Sequence, residues 1–154
     1  MADIPIRASI ASLVAVRKIG QRHEMLLLKR TEPPADAWCQ IAGKIEDGET
    51  AWQAVVRELH EEAGLRPGTL YSADVCEQFY EIQRDAIAVA PVFVAFVDPA
   101  KKVVLNQEHS AHRWVDFDDA IEMVTFGGQR KIIRWIEEEF INRSPSKHLR
   151  IDFE

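Results

Sequence analysis

The stretch GKIEDGETAWQAVVRELHEEAGL, residues 43–65, decides how this chain is read. Its second half predicts a helix over Glu49–Ala63. Thr50 stands where a cap is needed, with Gln53 three residues later to close a capping box. Ala51, Val55, Leu59 and Ala63 recur every fourth residue and make one apolar stripe, which Ala54 and Val56 broaden. Gly64 is a natural stop and Pro67 prevents easy continuation. The first part, Gly43–Gly48, reads as a loop with a glycine at each end, able to approach a ligand with bare backbone.

Glu58, Glu61 and Glu62 sit at i, i+3 and i+4, which places all three on a face beside the apolar stripe. Such carboxylates repel one another, and a hard divalent cation relieves the repulsion. Mg²⁺ suits the position because it takes carboxylate oxygens, keeps waters and bridges substrate phosphates. Glu49, near the helix start, is placed to accept a charged hydrogen bond from Arg57 if the loop folds back. Spacing alone leaves a second reading open, an ordinary solvated acidic face carrying Arg57 and His60. The run Glu137-Glu138-Glu139 takes that blander reading, because no glycine loop precedes it.

The pattern as a whole goes further. Gly43, Glu49, Arg57-Glu58-Leu59, Glu61-Glu62 and Gly64-Leu65 resemble the signature of the Nudix hydrolases at every fixed position, over 23 of 154 residues. The resemblance implies an α/β fold, an α/β/α sandwich with a mixed sheet. It also implies metal-dependent hydrolysis of a nucleoside diphosphate linked to another group. By resemblance Glu58, Glu61 and Glu62 carry the metal, Mg²⁺ with Mn²⁺ as a substitute, and the Ala42 carbonyl joins its shell. Arg57 and Glu49 hold the loop to the helix, with Gly43 and Gly64 as its structural glycines. Many members have proline and glycine where this chain has Ile41-Ala42. A carbonyl ligand needs no particular side chain, so the difference touches the loop and the substrate subgroup.

Outward from this box the elements alternate without repeated βαβ units. Ala8–Arg17 and Met25–Lys29 read as paired strands around a Gly20–Glu24 turn, followed by a Thr31–Asp36 loop and a short Trp38–Ile41 strand. Leu70–Gln83 and Ile87–Val97 form a hairpin around Arg84-Asp85, and Asp98–Gln107 is a loop. Arg113–Val115 reads as a strand, Asp118–Val124 as a short helix, and Gln129–Phe140 as an amphipathic helix. Ile132, Ile133, Ile136 and Phe140 of that last helix face the core. Residues 1–154 make a single domain, in which the tail 142–154 has no legible role.

Other residues follow from these placements. Glu108, before the Arg113-Trp114-Val115 strand, resembles a loop glutamate that contacts metal or activates water in several Nudix members. Arg30 ends the second strand at the same rim as a candidate phosphate contact. Trp38 is a candidate base contact, though core packing is the commoner role for it, as for Phe79, Tyr80 and Trp114. The entrance Phe126-Gly127-Gly128-Gln129 is, by resemblance, a base-recognition region. Related members often carry asparagine where this chain has Gly128; either Gln129 partly replaces that base-reading amide or the preferred substrate is not a classical nucleotide. Trp38–Gly43 together with Glu108-His109 and Arg113-Trp114 looks like the branch acting on dATP or dihydroneopterin triphosphate.

The expected reaction is cleavage of a nucleoside triphosphate to the monophosphate and pyrophosphate. Alternatives are dihydroneopterin triphosphate, dinucleoside polyphosphates, nucleotide sugars, or a non-catalytic nucleotide sensor. A net charge of -6 argues against binding the backbone of a polymeric nucleic acid. No segment approaches the roughly 20 apolar residues of a membrane span. Cys39 and Cys76 match no disulfide framework or repeated metal-binding spacing. The apolar run Ile10–Val16 reads as an opening strand rather than a leader, which makes the cytoplasm the expected location.

Overall fold

The computed structural model describes residues 1–154. Nine strands form one mixed sheet: β1 (Ile6–Arg7), β2 (Ile10–Ile19), β3 (Arg22–Arg30), β4 (Trp38–Cys39), β5 (Ile41–Lys44), β6 (Thr69–Glu81), β7 (Ala86–Phe96), β8 (His109–Val115) and β9 (Arg150–Ile151). The main path runs β4-β3-β2-β7-β6-β9, with β1 on β7, β5 on β2 and β8 on β3. β2 and β7 are parallel, Leu13 opposite Phe93 and Val14 opposite Val94, whereas β6 and β7 form the expected antiparallel hairpin.

The helices α1 (Ala51–Ala63), α2 (Phe117–Met123) and α3 (Gly127–Ile136) cover both faces of this sheet. Val14, Val16, Met25, Leu27, Val92 and Val94 pack toward α2 and α3, with Ile132, Ile133, Ile136 and Phe140. Leu13, Ala15, Leu26, Leu28, Phe93 and Ala95 pack on the other side against Val55, Leu59 and Ala63 of α1. Central strands buried on both faces carry unbroken apolar runs instead of alternation, as Leu13–Val16 and Met25–Leu28 do. The result is the α/β/α sandwich.

Several boundaries differ from the sequence reading. β2 and β3 extend to Ile19 and start at Arg22, so only Gly20 and Gln21 form the turn, with Gly20 at φ +61°. β8 begins at His109, because the whole segment pairs with β3. Trp38–Ile41 is split at Gln40, whose buried side chain hydrogen-bonds away from the ladder, and Gly43 and Lys44 belong to β5. The last helix starts two residues early, at Gly127, and its α-helical part stops at Ile136. A π-helical turn, Glu137–Ile141, carries Phe140 into the core, with the Asn142 N–H donating to the Glu137 carbonyl at 2.8 Å. Phe79 and Tyr80 are solvent-exposed, 45% and 54%, and pack against neither core, contrary to the core-packing expectation. The tail also has a place: Ile151 pairs with Leu70, and Leu149, Ile151 and Phe153 pack against the two cores.

Candidate active site

α1 begins at Ala51, with Thr50 as its cap. The Thr50 hydroxyl accepts from the Gln53 N–H at 3.2 Å, and the Gln53 side chain accepts from the Thr50 N–H at 2.8 Å. This closes the capping box and leaves Glu49 outside the helix, free to turn back. Gly64 closes the other end in the left-handed region, φ +69°, with its N–H on the His60 carbonyl.

Arg57 then ties loop to helix. Its Nε and Nη2 donate to the two Glu49 oxygens at 2.6 and 3.1 Å, a bidentate pair. Nη2 also reaches the Lys44 carbonyl at 2.9 Å, and Nη1 lies 2.8 Å from Glu58 Oε1 and 3.2 Å from Glu61 Oε2. The Glu46 N–H donates to Glu49 as well, so the loop is closed by charged hydrogen bonds. The guanidinium holds the Glu49 carboxyl below its ordinary range, and hydrogen bonding to Glu49 holds Arg57 above its own.

Gly43 supports Glu58 by having no side chain. A Cβ built there would stand 2.1 Å from Glu58 Oε1, an impossible contact. The three helix carboxylates therefore differ: Glu61 is exposed, Glu58 is half-buried, and Glu62 is only 3% exposed. Burial raises the Glu58 carboxyl above its usual range against the pull of Arg57. Burial pushes Glu62 up to about 9, helped by the charges of Glu58 and Glu108. Glu62 Oε2 is buried without any hydrogen-bond partner.

Glu108 comes from the opposite side. Its carbonyl accepts from the N–H and the hydroxyl of Thr31, both at 3.0 Å, which fixes the loop. Its carboxylate is close enough to raise both Glu58 and Glu62. Ala42 lies opposite Ser12 in the β2–β5 ladder, and its backbone moderates the Glu62 shift. As the side chains stand, no three His, Cys, Asp or Glu groups converge at metal-binding spacing, and Arg57 Nη1 lies between Glu58 and Glu61.

The residues proposed for substrate contact are less alike. Arg30 is half-buried, with Nη2 on the Pro33 carbonyl at 3.1 Å and Nε unpartnered. Trp38 packs against the α2–α3 side of the core. Gln129 is 7% exposed, and both ends of its amide are committed inside the protein. It does not present a free group at the α3 entrance. Its partner is Gln40, which also contacts Ser12 and Glu77. Sequence gave no sign of this group, since its members are 89 residues apart and carry no motif. Cys39 Sγ lies 3.8 Å from His109 Nε2, and burial pushes that thiol up to about 11.

The NUDIX domain family model matches residues 8–136, from before β2 to the end of α3. This chain belongs to the Nudix family. A bis(5'-nucleosyl)-tetraphosphatase (asymmetrical) of Caenorhabditis elegans is 31% identical over 126 residues, covering 80% of this chain and 90% of that protein. A dihydroneopterin triphosphate diphosphatase of Escherichia coli (strain K12) is 24% identical over 152 residues, covering 92% and 97%. An octanoyltransferase of Myxococcus xanthus is 32% identical over 134 residues, but this Nudix chain spans only 37% of its length. The crystal structure of a C. elegans Ap4A hydrolase binary complex superimposes with a TM-score of 0.75 at 27% identity, covering 86% of this chain and 96% of the other. As a Nudix hydrolase the protein acts on phosphoanhydride bonds.

Proposed function

We propose that this Nudix hydrolase is a cation-dependent pyrophosphohydrolase of nucleoside polyphosphates, with Glu58, Glu61, Glu62, Glu108 and the Ala42 carbonyl holding the cation. The observation that carries the reading is Glu62: a carboxyl 3% exposed, with an unpartnered oxygen, beside two further carboxylates. Burial makes ionising this carboxyl costly, and a cation beside its unpartnered oxygen offsets that cost. The donors are all hard oxygens, which suits Mg²⁺, with Mn²⁺ as a substitute. When bound, the ion would supply positive charge to the diphosphate and lower the pKa of a water.

The chain's own residues do the rest. Arg57, fixed by Glu49, holds Glu58 and Glu61 in place, and Gly43 keeps the loop close to Glu58. Arg30 stands at the rim for a phosphate. Glu108 accepts a proton from the water that attacks phosphorus in line, and the anhydride P–O bond breaks. A nucleoside triphosphate gives the monophosphate and pyrophosphate; a dinucleoside polyphosphate gives two unequal nucleotides. The similarity to the C. elegans tetraphosphatase, in sequence and in fold, favours the second as an additional substrate class. No box glutamate is missing, which argues against a non-catalytic sensor. The two free thiols suit the reducing cytoplasm.

The test is anion-exchange product analysis over nucleoside triphosphates, dihydroneopterin triphosphate, dinucleoside tetraphosphates and nucleotide sugars, with Mg²⁺ or Mn²⁺. Turnover that survives EDTA in metal-free protein overturns the reading. Glu108→Gln should lower turnover by roughly 10²-fold and change the pH–rate profile between pH 6 and 10. A wild-type rate and profile would remove Glu108 from the site.

A further inference from the structure

Beside the carboxylate site, between β6 and the start of α3, a chain of polar groups runs through the interior. The Phe126 N–H donates to Gln129 Oε1 at 3.1 Å, and Gln129 Nε2 donates to Gln40 Oε1 at 3.2 Å. Gln40 Nε2 then donates to Ser12 Oγ at 3.0 Å and to Glu77 Oε2 at 3.2 Å. Neither amide is free to flip. The Phe126 backbone N–H can only donate, which makes Gln129 Oε1 and then Gln40 Oε1 the acceptors and leaves Gln40 Nε2 to donate towards Glu77. Both glutamines are 7% exposed, so no water competes for their places.

The chain stops at Glu77 and leaves its other oxygen, Oε1, uncommitted. That oxygen faces Gly128, where an added Cβ would stand 3.9 Å away. Glu77 is half-buried, and the aromatics around it are open to solvent: Phe79, two residues along β6 on the same face, and Phe126, 55% exposed at the α3 cap. Opposite Glu77 and Phe79 in β7 stand Ala90 and Ala88, the smallest side chains that keep a strand. An acceptor flanked by exposed rings and small residues is matched by a flat heterocycle with an N–H donor on its edge.

We propose that Glu77 is the specificity-determining residue of this site, accepting a hydrogen bond through Oε1 from the exocyclic amino group of the substrate's nucleobase. The base-reading part falls to Glu77 because Gln129 is spent on orienting Gln40, and Gln40 on orienting Glu77. The inference rests on the nucleotide reading above and adds the base preference. Bases that present an exocyclic amino group to Oε1 (adenine, cytosine or guanine) are favoured over hypoxanthine and uracil, whose oxo group in the place of the adenine or cytosine amino group sets an acceptor against the carboxylate.

The fixed direction of the chain makes the test sharp. In Glu77→Gln, Gln40 still offers only N–H to this position, so the new amide must turn its carbonyl toward Gln40. Its NH₂ then faces the base. The acceptor becomes a donor. Wild-type protein should bind AMP more tightly than IMP by about 10-fold or more, measured by calorimetry without metal, because a mispaired polar edge is strongly rejected. Glu77→Gln should bring that ratio below one, and the ATP/ITP and CTP/UTP ratios of kcat/KM should move the same way through KM. A thermal melt confirms that the variant is folded, and Gly128→Val, which crowds Oε1, should weaken AMP binding without inverting the preference. An unchanged AMP/IMP ratio in folded Glu77→Gln overturns the proposal, as does wild-type protein that binds neither nucleotide. Because binding is read without turnover, failure of hydrolysis and failure of base selection are separately visible.

Discussion

At the scale of single residues, Glu62 sets the electrostatic character of the site. The unfolded carboxyl releases its proton near 4.5, while the folded one holds it to about 9. The folded state therefore binds more protons between these values, and raising the pH through that window removes stability from the metal-free protein. Glu62→Gln should flatten this dependence and raise the melting midpoint at pH 8 in EDTA by several degrees, at ~2–4 °C per kcal/mol for a chain of this size. The same change should lower turnover about 10²-fold by removing a ligand charge. Melts at pH 6 and pH 8 check the first part, and a slope equal to wild type would contradict it. Arg57 is a different case, a positioning residue whose fork spans Glu49, Glu58, Glu61 and the Lys44 carbonyl. Lysine cannot reproduce that geometry. Arg57→Lys should reduce kcat roughly 10- to 100-fold through displaced carboxylates, with the far-ultraviolet dichroism unchanged. Full activity in this variant would deny the fork its role.

At the scale of elements, α1 and its preceding loop act as one unit. Thr50→Ala breaks one arm of the capping box and should cost about 1 kcal/mol in denaturant unfolding, with the turnover of folded molecules kept. Gly43→Ala should do the reverse. Its Cβ falls 2.1 Å from Glu58 Oε1, so Glu58 must leave its place, and turnover should fall about 10²-fold. Chelator-insensitive stability together with lost activity is the expected signature; normal kinetics would show that the loop yields. α1 was legible in advance because caps, stripe and stop all lie within its own residues. α3 was less so. Its start at Gly127 depends on the Phe126–Gln129 hydrogen bond, and its π-helical end depends on the site that receives Phe140. Trp38–Ile41 looked like one strand, with a loop from Gly43, because nothing local reveals that Gln40 turns inward and that Gly43 and Lys44 join β5.

At the scale of the whole molecule, the sheet joins segments distant in sequence, and the tail is part of it. β9 pairs with β6, and Leu149, Ile151 and Phe153 cover apolar surface on both faces. Truncation after Asn142 should therefore lower stability by ~2–4 kcal/mol, the scale for two or three partly buried apolar side chains. Urea unfolding of the truncated protein measures this, and an unchanged midpoint would return the tail to the surface. The sequence by itself determined the family, the carboxylate helix, its loop and the hydrolytic chemistry, because those rest on residues 43–65 at fixed local spacing. Tertiary structure alone decided which glutamate is buried with an unpartnered oxygen, how Glu108 comes near enough to raise Glu62, and which carboxylate oxygen beside the α3 entrance is left uncommitted. These follow from burial and from long-range pairing: the environment of Glu62 is made by β5 and the Glu108 loop, and the free oxygen of Glu77 by Gln40, which is oriented by Gln129, 89 residues away in the chain.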